Sequence, residues 1–218
     1  MPLQAVIFDI DGTLLDSIDI MAKAAKRTAE ILKSDVDLEA VKGLIGKPPE
    51  EIIKKVFKVY DADQIRKIRD IWAKEAEKLL VKERQGRLFP NAIEVLRWLK
   101  ENGFKVGLGS SLIRDLIKKI GEAYGFLKYV DAYVGSDEVP HGKPAPDTFL
   151  EVARRLRVSP KEAIIVGDTV YDIIAGLRGG FKTILFSTKE ITPPNIKPDY
   201  IIGDLKEVIS IIKKMIKT

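Results

Sequence analysis

The sequence contains two pairs of aspartates that stand directly after apolar runs. Asp9 and Asp11 form the first pair, and their spacing of two lets both carboxylates point into one site at a strand end. One carboxylate can attack phosphorus, while the other can protonate the leaving oxygen and later deprotonate a water molecule. We assign the first role to Asp9 and the second to Asp11, although an Asp-Gly turn at a strand end has the same residue types.

Small and hydroxyl-bearing residues near these runs are suited to binding a phosphoryl group. Gly12 lets the backbone turn sharply, and Thr13 offers a hydroxyl and an amide to a phosphate oxygen. Ser110 and Ser111 follow a second apolar run, whose glycines allow a close backbone approach. We predict that Ser110 donates to phosphate and that Ser111 also contacts the substrate, whereas a Ser-Ser pair that opens a helix can equally be an N-cap.

A lysine and a second aspartate pair complete the candidate site. Lys143 lies in a loop with two prolines, where a fixed ammonium can neutralise charge on transferring phosphoryl oxygens. Asp168 and Asp172 stand where an apolar run meets a helical pattern, and a spacing of four brings both to one helix face. A solvated lysine and an acidic first helical turn are the alternative interpretations.

The residue types in this cluster indicate Mg²⁺ as the cofactor. The chain has no cysteine, which excludes disulfides, thiolate zinc sites and cysteine nucleophiles. Carboxylate oxygens suit Mg²⁺, which binds through one or two carboxylates together with substrate phosphate. Because several carboxylates would repel a phosphate dianion, the chemistry requires a divalent cation in addition to Lys143.

Apolar runs that alternate with helical patterns predict an α/β fold with a parallel, doubly wound sheet. The predicted strands span residues 3–8, 104–108, 132–135, 163–166 and 183–186. The helical patterns between them span residues 92–100, 112–124, 147–156 and 171–178. Ligands bind at the carboxyl ends of strands in such sheets, which is where the polar residues described above stand.

A long helical insertion is predicted after the first strand. Between residues 16 and 84 the sequence shows helix after helix and no convincing strand. The helical patterns span residues 18–32, 38–44, 50–59 and 62–81. Two consecutive prolines interrupt this stretch, and a proline turn at residues 88–91 returns the chain to the sheet.

Composition indicates a folded protein with no nucleic-acid or membrane partner. Hydrophobic residues make up 45% of the 218 residues and charged residues 32%, and the net charge of +5 is spread among acidic residues. The longest uncharged runs fall short of the ~20 apolar residues that a membrane span needs, and no secretory signal is visible. We therefore expect a cytoplasmic location. Both a monomer and a homodimer fit the sequence.

The four segments around Asp9, Ser110, Lys143 and Asp168, in this order and at successive strand ends, closely resemble the haloacid-dehalogenase-like hydrolase superfamily. The resemblance implies a Rossmann-like catalytic core, which would comprise residues 1–15 and 85–218. It also implies an α-helical cap domain at residues 16–84. A cap at this place marks the subgroup that contains phosphoglycolate phosphatases and β-phosphoglucomutases.

The resemblance implies a Mg²⁺-dependent phosphatase that acts on a small phosphorylated metabolite. Asp9 would be the nucleophile that forms an aspartyl-phosphate, and Asp11 the general acid and base. Ser110 and Lys143 would bind the phosphate. The implied metal ligands are Asp9, Asp11 through its backbone carbonyl, Asp168, and Asp172 directly or through water.

Two further sequence features narrow the activity within the superfamily. Dehalogenases and phosphonate hydrolases of this superfamily lack the second acid of the first segment, so the presence of Asp11 disfavours both activities. The cap usually supplies specificity, and we expect its loop at residues 46–49 to face the substrate. Lys47 in that loop can meet a second anionic group, although an exposed lysine beside a helix-starting proline is equally consistent.

Three other functions are alternatives to a phosphatase. A phosphomutase would use the same aspartyl-phosphate and return the group to a sugar phosphate, and the motifs do not separate the two activities. A phospho-aspartate receiver would place its aspartate on an internal strand and lack a large helical insertion. A pseudo-enzyme that only binds partners is disfavoured, because every expected catalytic position is filled.

Overall fold

A six-stranded parallel sheet forms the centre of the molecule. The computed structural model describes residues 2–187 and 196–217. Its strands are β1 (Ala5–Phe8), β2 (Leu15–Asp16), β3 (Arg87–Leu88), β4 (Lys105–Gly109), β5 (Ala132–Val134), β6 (Ala163–Gly167), β7 (Lys182–Phe186) and β8 (Tyr200–Ile202). The sheet order is β5-β4-β1-β6-β7-β8, and all neighbours in it are parallel.

The first strand occupies the middle of this sheet because every residue in it is apolar. All residues of β1 are buried, and β1 pairs with β4 on one side and with β6 on the other. A strand covered on both faces needs a continuous apolar sequence, which Ala5–Phe8 supplies. The carboxyl end of β1, where Asp9 begins, therefore lies centrally between the carboxyl ends of two neighbouring strands.

Helices cover both faces of the sheet, and a separate group of helices stands between β2 and β3. The helices are α1 (Ile18–Ile31), α2 (Leu38–Lys42), α3 (Pro49–Phe57), α4 (Ala62–Glu77), α5 (Ala92–Glu101), α6 (Arg114–Ala123), α7 (Asp147–Leu156), α8 (Val170–Arg178) and α9 (Glu207–Lys217). The predicted α/β fold with a Rossmann-like sheet and an inserted helical cap is confirmed. Within the described part of the chain, no helix is both long and apolar enough to cross a bilayer.

The inserted helices α1 to α4 pack on one another around a buried tryptophan. Trp72 on α4 is 4% exposed, and its indole N–H donates to the backbone oxygen of Met21 on α1 at 3.0 Å. Asp61 caps α4 by accepting from the Gln64 amide, and Pro49 stands in the first turn of α3, where its missing N–H costs nothing. The apolar interior of the insertion is continuous with the hydrophobic core on one face of the sheet.

The structure contains strands that the sequence patterns did not predict. Strands β2 and β3 pair antiparallel where the chain enters and leaves the insertion, with Asp16 opposite Arg87. Each has two residues, which is too short to show an alternating pattern. The third, β8, is a three-residue edge strand with Ile201 half exposed. The division of the chain at residues 16 and 84 stays a prediction.

A partly buried ion-pair cluster fixes the chain between β5 and the loop that carries Lys143. Glu138 accepts from Arg155 at 2.9 Å, from Arg114 at 3.2 Å and from the Gly135 amide at 3.0 Å. Burial alone would raise the pKa of Glu138, but the hydrogen bonds from Arg155, Gly135 and Arg114 lower it below its ordinary value. The ionised carboxylate therefore ties α6 and α7 to this turn.

Replacing Glu138 with Gln should lower the free energy of unfolding at pH 7 by about 1–3 kcal/mol, because hydrogen bonds to a charged partner are lost. Because the pKa of Glu138 is lower in the folded state than its ordinary value of 4.5, the ionised carboxylate stabilises the fold at pH values above 4.5. This stabilisation is lost as the pH falls through the folded-state pKa. The difference between the two proteins, measured by urea denaturation, should therefore shrink between pH 7 and pH 3.

The matched control is Glu101→Gln at an exposed position on α5, which should change stability by less than about 0.5 kcal/mol at either pH. A Glu138→Gln effect of equal size at pH 7 and pH 3 would contradict the charge-based account.

Candidate active site

Residues far apart in the sequence meet at the carboxyl edge of the sheet. Asp9 directly follows β1, Ser110 follows β4 and Asp168 follows β6, and these three strands are neighbours. The Asp9 amide donates to the Val166 oxygen of β6 at 2.9 Å, which extends the strand pairing to the first residue of the site. The strand order thus brings together three of the segments that the sequence analysis singled out.

Lys143 joins the segments through two short contacts. Its ammonium lies 2.6 Å from Asp9 Oδ1 and 2.7 Å from Asp172 Oδ1, and the lysine side chain is 1% exposed. The Asp172 carboxylate is itself held, because its Oδ2 accepts from the amide and the hydroxyl of Thr169. Gly167 makes room for this carboxylate, since a Cβ there would lie 2.4 Å from Asp172 Cβ.

Burial and neighbouring charge act in opposite directions on this group of side chains. Burial raises the pKa of Asp9 to about 7, against the attraction of Lys143 and with the help of the nearby Asp172. Burial alone would lower the pKa of Lys143, but the carboxylates of Asp172 and Asp9 raise it above its ordinary value. Lys143 therefore carries a permanent positive charge, and the acidic groups outnumber it.

Asp11 contacts the residue that precedes α1. Its Oδ1 accepts a 2.5 Å hydrogen bond from Ser17 Oγ, and Ser17 is fully buried just before α1. Burial raises the pKa of Asp11 to about 6, although the Ser17 hydrogen bond and the charge of Lys143 oppose this rise. A carboxyl with a pKa near neutrality can give up and take back a proton, which the acid–base role requires.

Ser17 was missed by the sequence analysis. Its signal was weak, since a serine before a helical pattern is an ordinary N-cap residue. In the structure its side chain makes no cap hydrogen bond and contacts Asp11 and the Leu15 backbone oxygen instead. A serine at this position, just before a helix and six residues after a candidate acid, can therefore hydrogen-bond to the acid instead of capping the helix.

Three carboxylates are close enough to share one cation. Asp9, Asp168 and Asp172 each offer an oxygen atom, and these atoms lie within 4.8 Å of one another. Thr13 orients the second of them, because its hydroxyl donates to Asp168 Oδ1 at 2.8 Å. Gly12 has a positive φ of 85°, and a Cβ on it would lie 2.2 Å from an Asp168 oxygen, so only glycine fits there.

The donor set fits Mg²⁺. It consists of oxygen atoms alone, which are the ligands that Mg²⁺ prefers. Burial raises the pKa of Asp168 well above its ordinary value, and the nearby Asp172 and Asp9 add to this rise. One ammonium cannot balance these carboxylates, so a divalent cation would relieve the remaining repulsion. Asp9 and Asp168 are the residues that would hold it, with Asp172 near enough to contribute. The side chain of Asp11 lies outside this group.

The phosphate-binding candidates have distinct surroundings. Ser110 is 1% exposed, and its Oγ accepts from the Leu112 amide at 3.1 Å, so its hydrogen can be donated to a phosphoryl oxygen. Ser111 donates its hydroxyl to the Gly46 backbone oxygen of the insertion at 2.8 Å. Both donors of Thr13 are engaged, the hydroxyl with Asp168 and the amide with the Ile10 oxygen.

The loop at residues 46–49 lies against the loops of the sheet, as its predicted place near the site requires. A Cβ on Gly46 would lie 2.9 Å from Thr169, and a Cβ on Gly142 would lie 2.7 Å from Pro48. Lys47 is 3.2 Å from Glu51, and its ammonium stands 5.1 Å from the centre of the Tyr171 ring. A cleft beside this loop opens onto Asp11.

Comparison with known proteins places this arrangement in a family. The family model described as haloacid dehalogenase-like hydrolase matches residues 6–186. The chain is 29% identical to a phosphoglycolate phosphatase of Aquifex aeolicus, over 96% of this chain and 97% of that one. It is 28% identical to pyrophosphatase PpaX of Bacillus velezensis, over 96% of both chains.

A solved structure shows the same fold. A hydrolase from Pseudomonas syringae superposes with a TM-score of 0.84 at 22% identity, covering 98% of this chain and 99% of that chain. The family model alone spans most of the sequence, from the first strand to β7. On this evidence, the chain belongs to the haloacid dehalogenase-like hydrolase family.

Proposed function

We propose that the protein is a Mg²⁺-dependent phosphatase that hydrolyses a small phosphomonoester through phosphorylated Asp9. The observation that carries this proposal is the buried contact of Lys143 with Asp9 and Asp172, beside a carboxylate group suited to one cation. Membership of a hydrolase family with relatives named phosphatases supports a phosphoric monoester hydrolase. The names of the relatives make phosphoglycolate, which is a phosphomonoester, a candidate substrate, and pyrophosphate, which is a phosphoanhydride, an alternative one.

In the first step, a carboxylate oxygen of Asp9 attacks phosphorus while the bond from phosphorus to the leaving oxygen breaks. Protonated Asp11 gives its proton to that oxygen, so the product leaves as a neutral alcohol. Ser110 and Lys143 hold the other phosphoryl oxygens, where hydrogen bonds and positive charge stabilise the transition state. The product of this step is an aspartyl-phosphate.

In the second step, Asp11 takes a proton from a water molecule that attacks the same phosphorus. The bond between phosphorus and Asp9 then breaks, and Asp9 is regenerated together with inorganic phosphate. Ser17 holds Asp11 in place for both steps through its hydrogen bond to Oδ1. Asp9 and Asp168 would hold Mg²⁺, which would supply positive charge to offset the negative charge of these carboxylates and of the phosphoryl group.

The helical insertion is proposed to act as a cap over this chemistry. Its loop at residues 46–49 contacts the loops of Ser111, Gly142 and Thr169, so it limits the access of water to the site. We propose residues 16–84 as the cap domain and residues 1–15 and 85–218 as the core, of which residues 1, 188–195 and 218 lie outside the described part. A small anionic substrate is the proposed partner.

Replacing Asp9 with Asn should lower kcat by roughly 10⁴-fold or more, because the nucleophile is lost while the size of the side chain is kept. Phosphate release from a panel of phosphomonoesters with Mg²⁺ measures this effect. The control is Asp63→Asn, the same change at a carboxylate that is 81% exposed on α4, which should leave kcat unchanged. Phosphatase activity near the wild-type rate in the Asp9 variant would end the proposal.

Replacing Asp11 with Asn should lower kcat by about 10²–10⁴-fold, since general acid and base catalysis is removed but the nucleophile remains. With a substrate whose leaving group needs no proton, such as an aryl phosphate with an electron-poor ring, the first step should survive. Intact-protein mass spectrometry should then find one phosphoryl group on the protein. An unmodified protein under these conditions would argue against the acid–base role.

Chelation should abolish phosphate release, and added Mg²⁺ should restore it. Because a ligand that binds only the folded state raises stability, Mg²⁺ should also raise the thermal midpoint of the wild-type protein. The Asp168→Asn variant should show a smaller rise than Asp63→Asn in the same titration. Equal rises in the two variants would mean that Asp168 does not hold the cation.

A further inference from the structure

A cleft between the insertion and the sheet begins at the proposed acid. Asp11 forms one wall of this cleft. The leaving oxygen must lie beside Asp11 to receive its proton, as the proposed mechanism requires. The group attached to that oxygen therefore enters this cleft, so the walls of the cleft select it.

The walls of this cleft are largely apolar and come from both halves of the molecule. Helices α1, α3 and α4 with the neighbouring loop supply one side, and α6 with the residues just before it supplies the other. The main apolar members are Met21, Ile45, Ile52, Trp72, Ile113 and Leu116. Trp72 is fixed by its hydrogen bond to Met21, so its indole ring offers a rigid apolar face.

The cationic side chains in the walls are already paired. Lys47 lies 3.2 Å from Glu51. Arg69 lies 3.2 Å from Glu50 and 3.3 Å from Asp70. Both side chains are about a quarter exposed, so each ion pair stands partly in contact with solvent.

An anionic leaving group would therefore have little to gain in this cleft. It would leave water for an apolar surface and would have to break an existing ion pair to meet a cation. The nearest carboxylate, Asp11, would repel it whenever ionised. An uncharged hydrocarbon group loses nothing on the same transfer and buries apolar surface against Trp72, Ile113 and Leu116.

We infer that the substrate of this site is a phosphomonoester with a compact, uncharged apolar leaving group, such as a small aryl or branched alkyl alcohol. This inference rests on the proposed phosphatase function. It separates this chain from the phosphoglycolate and pyrophosphate activities that the names of its relatives carry, because both of those leaving groups are anionic.

The first test compares kcat/KM for phosphate release from phenyl phosphate, phosphoglycolate and pyrophosphate, using the full chain with Mg²⁺. The value for phenyl phosphate should exceed the other two by at least about tenfold. Values for phosphoglycolate or pyrophosphate that equal or exceed it would overturn the inference and leave the phosphatase function standing. Phosphate release from none of the three would overturn the phosphatase function and the inference with it.

The second test places a charge in the cleft. Ile113→Lys should lower kcat/KM for phenyl phosphate and raise the ratio of phosphoglycolate to phenyl phosphate by at least about tenfold. The matched control is Ile201→Lys on the exposed edge strand β8, which should leave that ratio unchanged. If Ile113→Lys does not fold, Ile113→Ser should lower kcat/KM for phenyl phosphate in the same direction. An unchanged ratio in a folded Ile113→Lys variant would overturn the inference.

A binding measurement separates recognition from turnover. In the Asp9→Asn variant with Mg²⁺, phenyl phosphate should change the tryptophan fluorescence at a concentration at least about tenfold lower than phosphoglycolate. Trp72 lines the cleft and should report the binding, while Trp98 stacks on Phe104 elsewhere and contributes a constant signal. Tighter binding of phosphoglycolate would contradict the inference.

Discussion

The contact of one buried ammonium with two buried carboxylates holds the site together. Lys143 bridges Asp9 and Asp172 at 2.6 and 2.7 Å, and its positive charge compensates two carboxylates that have been removed from water. The three residues come from three separate segments of the chain. Removing the lysine would therefore leave repelling carboxylates in the core, so the same interaction that prepares the nucleophile also joins the segments that carry it.

The insertion divides the surroundings of the phosphoryl group into two kinds of environment. On the side of the sheet, Asp9, Asp168 and Lys143 form a dense polar group with room for a cation. On the side of the insertion, Asp11 borders an apolar cleft. This division suits a substrate with a highly charged end and an apolar end, because the charged end then lies among polar groups and the apolar end lies against apolar side chains.

Most of the polar group on the side of the sheet could be predicted from the sequence, because its assembly depends on a simple rule of topology. In a parallel sheet, residues that follow neighbouring strands meet at one edge, so Asp9, Ser110 and Asp168 were expected together. The role of Ser17 and the composition of the cleft could not be predicted, since both depend on how the insertion docks on the sheet. The strands β2, β3 and β8 could not be predicted either, because tertiary contacts decide their pairing and they are too short to show an alternating sequence pattern.

Gly46 shows how a residue without a side chain can set the distance between two parts of the molecule. Its φ of 103° disfavours any other residue, its carbonyl accepts the Ser111 hydroxyl, and Thr169 fills the space where a methyl group would stand. A methyl group at this point would act as a wedge between the two halves of the molecule. How closely the insertion approaches the loops of the sheet at this point therefore depends on the absence of a side chain at residue 46.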